Sequence, residues 1–271
     1  RDGTTIIGTF EREEHGNIYI KDLEGKETYL PRVMVAQTHE VTDDNLKDGE
    51  YWFPNLHDTR YFFSPSAFGL EKGEGYFGHS YWMLWQAQYG ITDELSIGGG
   101  TTFWGFPATL NAKYSFNINK DFNYALGWFW VGDLFGWTEG EMGSILNMPY
   151  MVVTKGSKEN NITLGAAYNF ATPFEDWRDN EIEASKRLVL NMGATFRASR
   201  RFAFVFEGWL LDAFGEDTEL MGGPGIRYFR KINRVTARNG AGAKTWDFQL
   251  MHFPDMEEPF FLPMVGASQK F

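Results

Sequence analysis

The chain has 271 residues and no cysteine, which excludes disulfides, thiolate metal sites, a cysteine nucleophile and a lipid anchor on a cysteine. Long apolar runs are also missing. The most apolar stretch, Tyr124 to Gly132, is half the ~20 residues a helix needs to span a bilayer, and Asp133 ends it. Positive charge is in deficit: 25 Lys and Arg against 36 Asp and Glu leave a net charge of −11. Phosphate binding needs clustered cations, so no nucleic-acid partner is expected. The chain opens on Arg1 rather than Met, so the lack of a leader carries no weight.

Rings and glycine are abundant. There are 25 Phe, 12 Tyr, 10 Trp and 30 Gly, yet mean hydropathy is only −0.37. A soluble domain of this size rarely needs so many large side chains. A β-barrel in lipid does, because it turns apolar and aromatic groups outward and polar ones inward. The alternation is there to be read. Leu110, Ala112, Tyr114, Phe116 and Ile118 alternate with Thr109, Asn111, Lys113, Ser115 and Asn117. Phe122 to Trp130, Ile162 to Phe170, Leu188 to Phe196 and Phe202 to Phe206 repeat the pattern. From Tyr76, the residues Phe77, Tyr81, Met83, Trp85 and Tyr89 share one face, with Ser80, Gln86 and Gln88 opposite, and read as one strand.

The connections form a second signal. Short polar turns at Ile91–Glu94, Asn119–Asp121, Ser157–Asn160 and Ser199–Arg201 contrast with longer excursions at Gly132–Glu141, Thr172–Lys186, Asp212–Asp217 and Lys231–Lys244. Short turns at one end and long loops at the other predict an all-β fold, an antiparallel up-and-down transmembrane β-barrel of about 10–12 strands. Twelve is favoured if Arg60 to Pro65 supplies the first. The predicted organisation is a small N-terminal β-rich periplasmic module at residues 1–49, a linker and candidate first barrel strand at 50–75, and the barrel at 76–271. Within the module, strands are predicted at Thr4–Phe10, Asn17–Lys21, Glu27–Leu30 and Val33–Gln37, and a helical cap at Thr42–Asn45.

The segment from Trp52 to Tyr76, containing HDTRYFFSPSAFGLEKGEGY, resembles uncharacterised outer-membrane β-barrel proteins of the Bacteroidota. YGITDELSIGGG at Tyr89–Gly100, NNITLGAAYNF at Asn160–Phe170 and RRFAFVFEGWL at Arg200–Leu210 are similar to the same family. The resemblance covers most of the chain. It implies a fold and an outer-membrane location, and no catalytic residues. Phe271 at the chain end matches the terminal aromatic that barrel-assembly machinery reads, although Gln269 stands where an apolar residue is usual.

Several motifs invite chemistry. His57–Asp58 and His79–Ser80 suggest a hydrolase, but strand neighbours point to opposite faces and no G-x-S-x-G occurs. Glu11, Glu13, Glu14 and His15, or Asp43, Asp44 and Asp48, lack calcium-loop spacing and read as solvated turns. Gly98–Thr102 lacks the lysine of a phosphate loop, and glycines here and at Gly222–Gly225 read as sites of curvature or room for a large neighbour. Five charges, Lys113, Arg197, Glu207, Arg227 and Asp247, fall on the inward parity. They read either as the constriction of a wet pore or as a polar network plugging a narrow lumen, with the plug favoured. Trp85, Trp104, Trp128, Trp130 and Trp137 are predicted members of interfacial aromatic girdles.

The expectation is a non-enzymatic outer-membrane protein without metal or cofactor, surrounded by lipid, acting as a narrow channel or as a subunit docked to other outer-membrane or periplasmic proteins. A transporter of small solutes, an outer-membrane hydrolase and a soluble β-sandwich or lipocalin-like binder are the alternatives.

Overall fold

In a computed structural model of the chain, the structure describes residues 6–22, 25–35, 38, 46–47, 50–81, 83–119, 121–134, 144–170, 174–175, 181–182, 187–215, 218–230, 243–253 and 261–271. The alternating segments pair in sequence order. β6 (Gly75–Ser80), β7 (Leu84–Gly90), β8 (Leu95–Thr102), β9 (Ala108–Asn119), β10 (Phe122–Gly132), β11 (Ser144–Gly156) and β12 (Asn160–Tyr168) form one run of hairpins. They continue through β15 (Leu188–Arg197), β16 (Phe202–Leu211), β17 (Glu219–Arg230), β18 (Lys244–His252) and β19 (Phe261–Lys270). β19 then pairs with β6 and closes a 12-stranded antiparallel barrel. Closure pairs the two strands that would be the edges of an open sheet, Tyr76–Ser80 of β6 with Gly266–Lys270 of β19. Phe271 completes the seam by exchanging two backbone hydrogen bonds with Gly75.

The two faces separate as the alternation predicts. Ile162, Leu164, Phe196 and Phe204 stand exposed on the outside, while Thr163, Thr195, Val205 and Thr245 are buried inside. Outer rings meet across neighbouring strands: Phe116 stacks on Tyr124 with centroids 4.3 Å apart, and Phe202 packs tilted against Tyr228 at 5.0 Å.

Three expectations are corrected. Arg60 to Pro65 is no wall strand; these two residues form an isolated bridge, and the segment lies in the lumen. The twelfth strand comes instead from Tyr76–Tyr89, which is a hairpin, with Tyr81 at a positive φ of 51° in its turn. Ser80 pairs with Leu84, so a three-residue turn returns the chain with odd positions still outward. The connection from Arg230 to Lys244 joins β17 to β18 at the end that carries the short turns, against the predicted alternation.

The N-terminal region holds a three-stranded sheet of β1 (Gly8–Glu14), β2 (Asn17–Asp22) and β3 (Glu27–Pro31). Ile18 and Ile20 share its buried face. Where the strand predicted at Val33–Gln37 is described, at Val33–Val35, the chain is not a strand: Pro31, with φ −56°, leads into a 3-10 turn at Arg32–Met34. Two minor pairs, β4 (Leu46–Lys47) with β5 (Glu50–Tyr51) and β13 (Phe174–Glu175) with β14 (Glu181–Ile182), complete the sheets. The predicted cap at Thr42–Asn45 lies outside the described residues.

Candidate functional site: a self-plugged lumen

The segment from Phe53 to Glu74 enters the barrel at the short-turn end, turns near mid-height and returns. At the entrance Asn55 donates its backbone N–H to Glu159 Oε1 at 2.6 Å and its side-chain amide to Lys158 O at 3.0 Å. Both acceptors belong to the β11–β12 turn. At the apex, Tyr61 N–H bonds Ser64 O at 2.9 Å. The returning limb leads through Leu70, buried at 1% exposure, to Glu74, whose carboxylate meets Lys270 at 3.1 Å.

All five predicted lumen charges are buried around this segment, and each has an assignable task. The Lys113 ammonium donates to three plug carbonyls, Thr59, Ser66 and Phe68, at 3.1, 3.0 and 2.7 Å. An ammonium has three protons, so all are used. The Glu207 carboxylate does the converse. Its Oε2 accepts the consecutive backbone N–H groups of Phe62, Phe63 and Ser64 at 2.9, 2.9 and 3.0 Å, and Oε1 accepts Trp209 Nε1 at 2.8 Å. A turn that aims successive N–H groups inward is an anion cradle, here filled by the wall's own carboxylate. Arg227 pairs with Asp247 through Nε and Nη2 at 2.8 and 3.1 Å. It also donates to the carbonyls of His57, Arg60 and Tyr61 at 2.8, 3.3 and 2.5 Å. Arg197 acts at the entrance, stacking over the Phe229 ring at 3.8 Å and the Phe53 ring at 4.8 Å. It meets Glu159 at 3.2 Å.

Burial of this kind is tolerable because the charges are paired or used in hydrogen bonds. In the entrance turn, burial pushes the Glu159 carboxyl above its ordinary value, while Arg197 and the Asn55 N–H draw it down. Asp58 is 3.2 Å from Lys158 and raises that ammonium's pKa.

Sequence reasoning missed the plug residues themselves. Arg60 donates to the Tyr61 and Phe62 carbonyls at 3.2 and 2.8 Å and hydrogen-bonds Ser268 on β19. The Tyr61 hydroxyl bonds Asn161 at 2.7 Å and Thr163 at 2.6 Å. Two glycines make the fit. A Cβ on Gly193 would lie 2.2 Å from the Tyr61 ring, and one on Gly225 would lie 2.5 Å from Phe62 Cζ. The only available signal was the motif itself, a ring-rich segment with polar punctuation and no alternation. Gly193→Val is therefore expected to expel Tyr61. Overpacking of this sort costs about 1–3 kcal/mol. A lowered urea midpoint and new protease cleavage near Tyr61 would register it; an unchanged plug would contradict the fit.

The other candidates stay apart. His57 is buried in the plug with Nε2 at 3.0 Å from Ala243 O. His79 faces outward beside Trp85, with ring centroids 5.2 Å apart, and Ser80 follows on the lumen side. Glu11, Glu13, Glu14 and His15 are exposed on the small sheet, and Asp43, Asp44 and Asp48 lie outside the described residues. Trp85, Trp104, Trp128 and Trp130 all sit toward the long-loop end, where Trp104 and Trp128 are exposed. Rings at the other rim are Phe116, Phe122, Tyr124, Phe202, Tyr228 and Trp246. Trp137 lies outside the described residues.

Inward residues are buried from every wall strand: Tyr76, Gln88, Ser96, Lys113, Ala125, Thr154, Thr163, Thr195, Val205, Arg227, Asp247 and Ser268. Each of them is less than a tenth exposed. The fold and lumen thus define a closed antiparallel β-barrel filled by its own chain.

No family model matches the chain, and no curated protein does. Among solved structures, it is similar to a NanC porin in a rhombohedral crystal form, with TM-score 0.44 and 11% identity over 73% of this chain and 98% of that one. It is also similar to OmpF of Salmonella typhi in complex with daunomycin, with TM-score 0.34 and 9% identity over 70% of this chain and 62% of that one.

Proposed function

We propose that this protein is a non-enzymatic integral barrel of a bacterial outer membrane, closed at rest, that serves as a subunit of a larger outer-membrane assembly. It would belong with the uncharacterised Bacteroidota barrels that its His57–Tyr76 motif resembles. The observation that carries the reading is the plug. Lys113 spends all of its hydrogen bonds on residues 57–68, and Glu207 and Arg227 most of theirs, where a conducting lumen would present charge to water. An outer surface of exposed Phe, Leu, Ile and Trp supports lipid as its surroundings. With the lumen filled, work is left to the long loops and to the N-terminal sheet, which would lie in the periplasm with the short turns. That sheet presents Phe10 and Tyr29 to solvent and suits a protein partner.

The test is a planar bilayer with the purified full chain. No steady conductance is expected, with insertion verified by the faster gel migration of unheated protein. Stable open channels under those conditions would refute the closed-barrel reading.

A further inference from the structure

Gln269 is a polar residue on the outer face of the last strand, and the register shows what stands beside it. It pairs with Lys244 of β18, and Lys244 pairs with Arg230 of β17. Arg230 shares the parity of exposed Ile226, Lys244 that of exposed Trp246 and Gln269 that of exposed Val265. The three side chains therefore form one row on the outside of the barrel, at the short-turn rim. Neighbouring strands are about 4.8 Å apart, so Arg230 and Lys244 are like charges in direct opposition, an arrangement that weakens a sheet. Among the described residues it is the only such pair in the barrel wall.

Lumen-side cations at the same rim have acids to meet: Lys270 lies 3.1 Å from Glu74 and Arg197 3.2 Å from Glu159. Neither Arg230 nor Lys244 has a carboxylate within ion-pair distance among the described residues. The sequence offers none nearby. No Asp or Glu occurs between Glu219 and Asp247, although the whole chain carries a net charge of −11. Arg230 is nonetheless held in place, its guanidinium 5.3 Å from the centroid of the Trp246 ring. Trp246 and its cross-strand partner Tyr228 are rings of the kind that settle at the headgroup level of a bilayer.

We propose that Arg230, Lys244 and Gln269 form a binding site for the phosphate of an anionic phospholipid in the leaflet at the short-turn rim. An anion between the two cations turns their repulsion into two attractions. Gln269 Nε2 donates one N–H to the Lys270 carbonyl at 2.6 Å and has a second to offer the phosphate. A lipid suits the row better than a soluble anion because the apolar face begins beside it: Trp246, Phe248 and Leu250 follow Lys244 outward along one strand. A phosphate bound at the rim thus lays its acyl chains on side chains that already face hydrocarbon. The inference rests on the membrane placement proposed above.

The experiment uses the full chain in phosphatidylcholine vesicles doped with phosphatidylglycerol that carries a photoactivatable diazirine near the acyl carbonyl. Phosphatidylcholine with the same group is the second arm. Adducts from either lipid on the rim rings Phe116 and Tyr124, across the barrel, report that the protein sits in the bilayer. The expected result is a preference for phosphatidylglycerol on Trp246 and Tyr228 that those two distant rings do not show. Arg230→Gln and Lys244→Gln should each reduce it about fivefold, the ordinary worth of one cation beside an anionic leaflet. Arg230→Lys should keep most of it, and Lys155→Gln, on another strand of the same rim, should leave it unchanged. An equal preference at Phe116 and Tyr124 would mean general attraction to a charged rim and would overturn the site. So would a preference that neither Gln variant changes. If inorganic phosphate abolishes the preference where chloride of equal ionic strength does not, the occupant is a free phosphate and the lipid assignment falls. Absence of adducts on all four rings from both lipids would instead refute the membrane placement.

Discussion

Deleting residues 53–70 is expected to turn a silent barrel into a conducting one. The reasoning is electrostatic and steric together. Without the plug, Lys113, Glu207, Arg227 and Asp247 face a water-filled lumen, where charged side chains are well solvated and the wall hydrogen bonds between strands remain intact. A point substitution should do the same in part. In Glu207→Ala the three N–H groups of Phe62, Phe63 and Ser64 lose their shared acceptor. Hydrogen bonds to a charged group contribute about 1.5–3 kcal/mol each, and shared bonds fall short of additivity. A loss of about 3 kcal/mol would raise the undocked fraction roughly a hundredfold. Single-channel recording would show brief openings in Glu207→Ala and sustained ones in the deletion. A deletion variant that inserts and stays silent would mean that another segment closes the lumen.

Arg227→Met should be the most destabilising single substitution in the barrel. It strands Asp247, whose other cationic neighbour, Arg60, is 3.8 Å away, and it leaves the His57 carbonyl without its Arg227 donor and the Tyr61 carbonyl with Arg60 alone. Breaking a buried ion pair from one side costs about 3–5 kcal/mol. Removing both partners in Arg227→Met with Asp247→Leu should cost less than Arg227→Met alone, because no uncompensated charge remains. Urea unfolding in vesicles, run as a double-mutant cycle, gives the sign directly. A double variant less stable than Arg227→Met would show that the remaining contact of Asp247 with Arg60 outweighs its stranded charge.

The outward and inward faces needed no tertiary information. The outside and the lumen take opposite chemistry on alternate residues, so Leu110 to Ile118 and Phe202 to Glu207 declare their orientation one residue at a time. The same parity put Lys113, Arg197, Glu207, Arg227 and Asp247 inside. The β6–β7 hairpin escaped for a reason internal to that logic: three turn residues restore the outward parity, and alternation carries no sign of a chain reversal. The plug escaped for a different one. Residues 53–74 have no period because no sheet orders them; their partners lie far along the chain, as with Tyr61 and Asn161, 100 residues apart, and Phe62 and Glu207, 145 apart. By itself the sequence determined an all-β barrel, its two faces and the charges within, because each follows from local period and composition. Only the tertiary structure decided that those charges hold a plug, because carbonyls and N–H groups of an irregular segment become ligands only when closure of the barrel wraps the wall around them.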